Sequence, residues 1–172
     1  MAKKAKTNSY FKLGLILLGV AIFTLLAANI YKNILDNKIN NSYLGKFVSS
    51  IGYNEIANAK LEFSGDTFLY ISYTGEKKIY DLEVKLKKLI KENNLNDQTI
   101  LLDMTTQTKN SNYIAKLNDV LELNEIKISD IPAIIYYRDD KVTAIIDSKN
   151  QMLSSGDFLQ LLEQYEIVKS YR

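Results

Sequence analysis

The sequence predicts an α/β domain with one four-stranded mixed sheet, preceded by one N-terminal transmembrane helix. Two features of the 172-residue chain predict this class. Residues 13–30 form a run of 18 without a charged side chain. Beyond it, apolar strand-like segments alternate with amphipathic helical ones and end in a hairpin and a helix. That order is typical of an α/β sandwich around a mixed sheet.

Composition excludes several kinds of site. The chain has no histidine and no cysteine, so it lacks cysteine nucleophiles, histidine bases, the usual zinc ligands and disulfides. Its 22 basic and 20 acidic residues are nearly balanced, which argues against a nucleic-acid partner. We expect no catalytic residue, no metal and no cofactor. The bias toward Leu, Ile, Tyr, Asn and Lys resembles that of an AT-rich bacterial genome.

The apolar run at the N-terminus predicts a membrane anchor. Roughly 20 residues of helix cover the 30 Å hydrocarbon core of a bilayer. A cleavable signal peptide would have a shorter apolar region and an A-x-A site, whereas here leucine stands two positions before Ala27 and Ala28. An uncleaved anchor is therefore favoured over a signal peptide, and also over the buried core helix of a soluble protein.

The charges around the apolar run predict its orientation. The lysines of residues 1–12 outweigh the mixed Lys32, Asp36 and Lys38 that follow the run, and positive charge favours the cytoplasmic side. We therefore expect a single-pass protein of the cell membrane. Residues 1–12 would be a cytoplasmic basic tail, and everything from about residue 31 would lie outside the cytoplasm.

Residues 31–52 are polar and rich in asparagine, and they predict a stalk. Apolar residues recur at helical spacing in its second half, which predicts a short amphipathic helix. These residues are Leu44, Phe47, Val48 and Ile51. The helix would either pack on the domain or lie at the membrane surface. The small number of basic residues favours packing on the domain.

The domain, residues 53–172, opens with a strand, helix, strand pattern. After a loosely helical stretch at 53–63, residues 67–73 are aromatic and β-branched, as in a buried strand. Residues 76–94 place leucine and isoleucine on one helical face, and residues 99–104 form a second apolar strand. This order predicts a right-handed parallel crossover.

A third helix, a hairpin and a last helix complete the domain. The third helix is predicted to begin near Ser111, a favourable N-cap. Residues 131–147 hold two β-rich runs around Asp139-Asp140, a two-residue polar turn that predicts an antiparallel hairpin. The last helix is predicted to begin near residue 154, where serines precede an apolar helical repeat.

The charged residues of the domain are interpreted as surface and turn residues. Lysines of the 76–94 helix are interleaved with Glu83 and Glu92, which is typical of a solvated face. A paired-carboxylate hydrolase would need Asp103 to meet an acidic residue such as Asp139 in one pocket. The predicted fold does not bring them together, and aspartate is a common turn residue.

Three local segments, taken in order, resemble the thioredoxin fold. They are FLYISYTGEKK, ILLDM and ISDIPAIIYYRDDKV, at the positions of the redox-motif turn, the second strand and the proline loop. The likeness covers roughly residues 53–167. Within that superfamily the chain is similar to the bacteriocin transport accessory proteins of bacteria, which are often membrane-anchored or exported. The resemblance implies a thioredoxin-like sandwich with a four-stranded mixed sheet.

The chain departs from redox-active relatives at the motif itself. In those proteins the turn carries C-x-x-C, whose first cysteine is activated at a helix N-terminus. The two cysteine positions correspond to Thr74 and Lys77, with Gly75 and Glu76 between them. A threonine nucleophile would need a neighbouring base, and no histidine is present to provide one. The turn is therefore interpreted as a non-catalytic helix start, with Gly75 as its permissive residue and Thr74 or Gly75 as the cap.

Pro132, the only proline, corresponds to the cis-proline of the thioredoxin fold. A cis bond would expose the backbone of Asp130 and Ile131 beside the turn, where thioredoxin-like proteins pair with an extended peptide. The alternative is a trans-proline at the first residue of a strand. The resemblance implies a binding groove, which consists of Tyr73, Thr74, Gly75, Glu76, Lys77, Asp130, Ile131 and Pro132.

Two functions are consistent with these expectations. The first is a redox-inactive, membrane-tethered module that binds a peptide or protein outside the cytoplasm, alongside peptide export as the resemblance implies. The second is a structural or assembly subunit, in which the transmembrane helix and the 44–51 helix contact a larger membrane complex. Gly14 and Gly19 do not form G-x-x-x-G, so helix dimerisation has no direct support. An enzyme is the least favoured class.

Overall fold

The computed structural model describes residues 9–60 and 63–168, which divide into two compact units with a boundary between Asn37 and Lys38. Helix α1 spans Ser9–Ile39, and its residues 9–37 form the described part of the first unit. Its segment Phe11–Ile39 is long and apolar enough to span a membrane, and none of its most apolar stretch is buried. The predicted span is therefore a candidate by length and composition. The lysines predicted to set its orientation, at positions 3, 4 and 6, lie outside the described residues.

The described residues of the second unit form a mixed sheet of five strands, and not the four predicted. The strands are β1 Ser49–Gly52, β2 Asp66–Ser72, β3 Thr99–Asp103, β4 Ala133–Arg138 and β5 Lys141–Ile146. Their spatial order is β1-β3-β2-β4-β5. Strands β1 and β2 run parallel to β3, whereas β4 runs antiparallel to both β2 and β5.

Helices cover both faces of this sheet. They are α2 Ile56–Ala59, α3 Lys77–Glu92, α4 Tyr113–Val120 and α5 Ser155–Gln164. Helices α3 and α5 share one buried apolar cluster with the sheet, and α2 and α4 share the other. The parallel connection of the predicted crossover is confirmed, because α3 connects the parallel strands β2 and β3.

Strand β2 supplies both cores because its side chains alternate between the two faces. Phe68 and Tyr70 belong to the cluster with α3 and α5, whereas Leu69 and Ile71 belong to the cluster with α2 and α4. All four are almost completely buried. A strand that is covered on both faces has a continuous apolar run, which is why the sequence of this segment predicted its burial.

The prediction of an amphipathic helix at residues 44–51 is wrong. A 3-10 turn spans Leu44–Lys46, and β1 follows at Ser49–Gly52 as an edge strand beside β3. Leu44 and Val48 pack in the cluster with α3, whereas Ile51 packs against the opposite cluster. The helical spacing is therefore a coincidence, because the chain passes from one face of the sheet to the other within these residues.

The turn and cap residues explain where the last elements begin and end. Asp139 and Asp140 have φ of +49° and +64°, the two positive values of the turn that suits a two-residue hairpin. Ser154 accepts the N–H of Asp157, whose carboxylate accepts the N–H of Ser154 in return. This reciprocal capping box starts α5 as predicted. Helix α4 begins at Tyr113 with Asn112 as its N-cap, one residue beyond the predicted Ser111.

Glu83 does not belong to a solvated face, contrary to the prediction. Its side chain lies inside α3's packed face and is only 1% exposed. One oxygen, Oε2, accepts the Ser42 hydroxyl at 2.9 Å and the N–H groups of Tyr43 and Leu44 at 2.6 and 3.1 Å. We call residues 39–48 the connecting segment. Glu83 therefore links the connecting segment to α3 through three hydrogen bonds.

Burial raises the pKa of Glu83. The three hydrogen bonds from the connecting segment favour its charged form and lower the pKa, whereas the nearby Asp103 raises it. The second oxygen, Oε1, is buried without a hydrogen-bond partner, as are the Tyr70 hydroxyl and the Ser72 hydroxyl among the described residues. Tyr70 and Ser72 point to the same face of β2 because they are two residues apart.

Candidate functional site

The candidate site lies at one end of the sheet, where three neighbouring strands meet. Strand β2 ends beside the start of β4, because their antiparallel register pairs Ile71 with Ala133. Strand β3 ends beside β2, because their parallel register pairs Ser72 with Asp103. The turn after β2 and the loop before β4 are therefore neighbours, and the segment after β3 borders the turn on its other side.

The eight residues predicted to form a groove differ in exposure. Gly75, Glu76, Lys77 and Asp130 are exposed, Tyr73 and Thr74 are half-buried, and Ile131 and Pro132 are buried. A partner can therefore reach the turn and the Asp130 side chain. The two buried residues instead support the loop from within the core.

The turn between β2 and α3 depends on Gly75. Its φ of +101° is a conformation that side chains other than hydrogen disfavour. Its N–H donates to the carbonyl of Ile39 at 3.0 Å, which ties the turn to the connecting segment. The prediction that Gly75 supplies the permissive turn residue is confirmed.

Helix α3 begins later than predicted, because its N-cap is Glu76 and not Thr74 or Gly75. Glu76 has an extended backbone, and its carbonyl accepts the N–H of Tyr80 at 3.1 Å. Its side chain makes no capping hydrogen bond, although its charge lies near the positive end of the helix. Lys77 follows and forms an exposed ion pair with Asp81 at 2.5 Å, a kind of contact that contributes little stability.

Thr74 is unable to cap the helix because it is held by the segment after β3. The Thr105 hydroxyl oxygen accepts the Thr74 N–H at 2.9 Å and lies 3.2 Å from the Thr74 hydroxyl oxygen. The Thr105 hydroxyl donates to Asp103 at 2.5 Å, so the hydrogen between the two threonines comes from Thr74. Thr74 therefore contacts a hydroxyl at the place where a nucleophile needs a base.

Tyr73 is an aromatic member of the site. Burial first, and then the carboxylates of Glu76 and Asp130 and the hydroxyl of Tyr113, together raise the pKa of Tyr73 to about 12. The pKa of Tyr113 is raised as well, first by burial and then by Asp130. Both tyrosines are therefore neutral hydroxyl groups beside two carboxylates at neutral pH. A surface of this kind suits hydrogen-bonded or cationic groups of a partner.

The proline loop is bonded inside the chain to a greater extent than the sequence suggested. The Ile131–Pro132 bond is cis, as the resemblance implies. The Ile131 N–H, however, donates to the Asp130 carboxylate at 2.8 Å, and the Pro132 carbonyl accepts the Ser148 hydroxyl at 2.8 Å. Much of the backbone that would pair with a peptide is already engaged.

Asp103 and the Asp139-Asp140 turn lie apart, as expected. Asp103 lies at the candidate site, whereas the Asp139-Asp140 turn lies at the opposite end of β4, where Arg138 pairs with Asp66 at the start of β2. Asp147 accepts the Ser129 N–H beyond β5. Among the described residues, no group of three acidic side chains is placed to hold a metal ion.

Three residues of the site were missed in the sequence. Thr105 and Tyr113 were not singled out at all, and Asp103 was considered only as a carboxylate of a hydrolase. Each lies about 30 to 40 residues from the turn, and no local spacing links them to it. The only signal is the parallel register of β2 and β3, which places the segment after β3 against the turn.

Replacing Gly75 with alanine is expected to destabilise the domain by about 1 kcal/mol or more, because alanine disfavours a φ of +101°. The matched control is Gly65→Ala. Gly65 has φ +60°, and both glycines have open space around the added Cβ, so only the backbone conformation differs. Because +60° lies in the left-handed region that other residues sometimes adopt, urea unfolding should show the smaller loss for Gly65→Ala. Equal losses would contradict the role assigned to the Gly75 turn.

Comparison with solved structures identifies the fold. Chlamydomonas reinhardtii thioredoxin f2 matches 71% of this chain and 99% of its own, with 11% identity and a TM-score of 0.50. A chloroplastic thioredoxin z matches 70% of this chain and 96% of its own, with 13% identity and a TM-score of 0.47. Thioredoxin f2 in a complex with ferredoxin:thioredoxin reductase matches 69% and 94%, with 14% identity and a TM-score of 0.49.

The likeness to thioredoxin f2 shows that the domain has a thioredoxin-like α/β fold. No protein-family model and no curated protein matches the sequence. At 11% identity the likeness concerns the fold alone. The chemistry of the site must therefore be argued from this chain's own residues.

Proposed function

We propose that this chain is a redox-inactive, membrane-tethered thioredoxin-like domain that binds a peptide or protein partner outside the cytoplasm. One observation carries the proposal. The turn after β2, which the resemblance equates with the redox-motif turn of thioredoxins, carries Thr74 and Lys77 in a chain without cysteine. Thiol exchange needs a thiolate. We therefore infer that this end of the domain serves as a recognition surface without redox groups.

The exposed chemistry of the site supports binding through side chains. Glu76 and Asp130 flank Tyr73, which combines an apolar ring with a neutral hydroxyl. Aromatic residues with a polar tip are frequent anchors in interfaces. The two carboxylates favour a partner segment that carries lysine, arginine or free N–H groups. The predicted strand-like pairing has less support, because the Ile131 N–H is already bonded to Asp130.

The anchor and the location are part of the same proposal. Helix α1 exposes its apolar side chains, and the lysines ahead of it favour a cytoplasmic N-terminus by the positive-inside rule. The domain would then lie outside the cytoplasm and remain at the membrane. The resemblance to bacteriocin transport accessory proteins adds a role alongside peptide export.

Photo-crosslinking in native membranes tests this proposal. A photoreactive amino acid is introduced at Glu76 or at Asp130 of the full-length chain, and the crosslinked partner is identified by mass spectrometry. We expect the same partner from both positions. The matched control is Asp97, an exposed acidic residue in the turn before β3, which lies at the opposite end of the sheet and should give no crosslink to that partner.

The same experiment distinguishes the alternative, a structural or assembly subunit of a larger membrane complex. A further photoreactive group at Phe23, which is 74% exposed on α1, reports contacts of the anchor. Crosslinks from Phe23 with none from Glu76 or Asp130 would favour the assembly subunit and reject the groove. With the photoreactive group at Glu76, reversing the charge at Asp130 should also weaken the groove crosslink while leaving the crosslinks of Phe23.

A further inference from the structure

The exposed surface of α3 has a different charge from the rest of the domain. The helix carries six lysines and three acidic residues, but Glu83 is buried and contributes no surface charge. Outside α3, residues 38–172 carry 11 basic and 16 acidic residues. An acidic domain thus presents one basic helix. We call its exposed lysines the lysine face: Lys77, Lys78, Lys85, Lys88 and Lys91.

Ion pairs on the helix only partly offset this charge. Lys77 pairs with Asp81, and Lys88 lies 3.8 Å from Glu92. Both partners of each pair are exposed, with side-chain exposures between 50% and 77%. Exposed pairs of this kind are weak and are screened by salt. The two remaining acidic residues therefore leave the face with a strong excess of positive charge.

Three contacts fix α3 beside the connecting segment. Gly75, just ahead of the helix, donates to the Ile39 carbonyl. Glu83 accepts the N–H groups of Tyr43 and Leu44. Lys87 lies 4.7 Å from the centre of the Tyr43 ring. Helix α3 is thus the element of the domain to which the chain leading from the apolar helix is attached.

The length of chain between the apolar run and the domain limits their separation. Nine residues lead from Ile30 to Ile39, a distance of about 30 Å even for a fully extended chain and less for a helix. A membrane that holds residues 13–30 therefore has its surface within reach of α3. Anionic headgroups attract lysines that come within about a Debye length of the surface.

We propose that the lysine face of α3 binds the anionic phospholipid headgroups of the membrane in which α1 is anchored. The inference rests on the proposed anchor and adds a second, electrostatic contact to it. A tether alone leaves the domain free to turn, whereas an anchor and a basic face together orient it. The acidic remainder of the domain is repelled by the same headgroups, which strengthens the preference for one orientation.

A single-cysteine quenching experiment tests this inference, since the chain has no cysteine of its own. Val84, which is 38% exposed on α3, is replaced by cysteine and labelled with a fluorophore. The full-length chain is placed in nanodiscs whose headgroups carry a quencher. We expect at least about twofold stronger quenching in discs with phosphatidylglycerol than in discs of phosphatidylcholine alone. The difference should vanish in about 1 M NaCl, where the screening length falls to about 3 Å.

Two controls make the result specific. A label at Ala115→Cys, exposed on α4 at the other face of the sheet, should show no such difference. Neutralising four lysines of the face should abolish the effect at Val84, whereas the same loss of charge elsewhere should preserve it. The test variant is Lys78→Gln, Lys85→Gln, Lys88→Gln, Lys91→Gln, and the control is Lys109→Gln, Lys116→Gln, Lys127→Gln, Lys149→Gln.

The outcomes separate this inference from the proposed function. An inserted chain with equal quenching in both kinds of disc overturns the lysine face alone. Equal loss of the effect in the test and control variants also overturns it, because net charge and not α3 would then be responsible. A chain that does not enter the discs overturns the anchor, and the inference with it. Crosslinking at Glu76 and Asp130 is measured independently of all three outcomes.

Discussion

Replacing Glu83 with leucine is expected to lower the free energy of unfolding by about 2–4 kcal/mol. The carboxylate accepts three hydrogen bonds from the connecting segment, and leucine leaves those donors without a partner in a partly buried place. Burial of the charge itself opposes folding, as the raised pKa indicates, so the loss is smaller than the sum of three bonds. Urea unfolding followed by the near-ultraviolet signal of the tyrosines measures it.

Glu83→Gln is the matched variant and should remain within about 1 kcal/mol of the wild type at neutral pH. The amide oxygen keeps an acceptor for the Tyr43 and Leu44 N–H groups. The amide nitrogen replaces an oxygen that has no partner, on the face where the Tyr70 and Ser72 hydroxyls also lack one. A loss for Gln as large as that for Leu would contradict the assigned hydrogen bonds.

The stability difference between wild type and Glu83→Gln should depend on pH. A raised pKa means that the folded chain holds this proton more tightly than the unfolded chain. From about 4.5, the ordinary value, up to the folded pKa, the folded state therefore binds more protons. Across that window the wild type should lose stability relative to Gln as the pH rises, and the difference should then level off. If the wild type instead gained stability relative to Glu83→Gln as the pH rises, the raised pKa of Glu83 would be contradicted.

Replacing Phe158 with alanine is expected to lower the free energy of unfolding by about 3–5 kcal/mol, as measured by urea unfolding. Phe158 is 1% exposed on α5, and its ring packs in a T-shaped arrangement with the ring of Phe68 on β2 at a centroid distance of 5.3 Å. Truncation removes this contact and leaves a cavity between α5 and the sheet. The adjacent Leu159 is 36% exposed, and Leu159→Ala should cost less than about 1 kcal/mol. Similar losses for the two variants would contradict the placement of α5 in the core.

The sequence predicted the elements whose apolar pattern agrees with their burial. Strand β2 is buried on both faces and reads as a continuous apolar run, and α3 places Leu82 and Leu86 at helical spacing in the core. Strand β1 was not predicted because it has only four residues, of which Ser49 and Ser50 are polar and exposed. Its pairing with β3 is set by backbone hydrogen bonds across about 50 residues of chain, which no local pattern records.

The burial of Glu83 was not predicted for a related reason. Its charge on the helix suggests exposure to solvent, but its hydrogen-bond partners are amide groups of the connecting segment about 40 residues earlier in the chain. At the candidate site, the turn and the proline loop were predicted because each has its own local signal, a Gly turn and a lone proline. Thr105 and Tyr113 have no such signal, since they enter the site only through the register of β3 and the packing of α4.

The two edges of the sheet bear on how copies of this chain behave when they meet. Strand β1 is four residues long, and β5 begins with Lys141 and contains one extra residue opposite β4, between Tyr136 and Tyr137. A short strand, an edge lysine and a bulge each discourage edge-to-edge pairing. Under the proposed anchor, copies of the chain would diffuse in two dimensions and collide often, and the irregular edges would protect the domain from self-association.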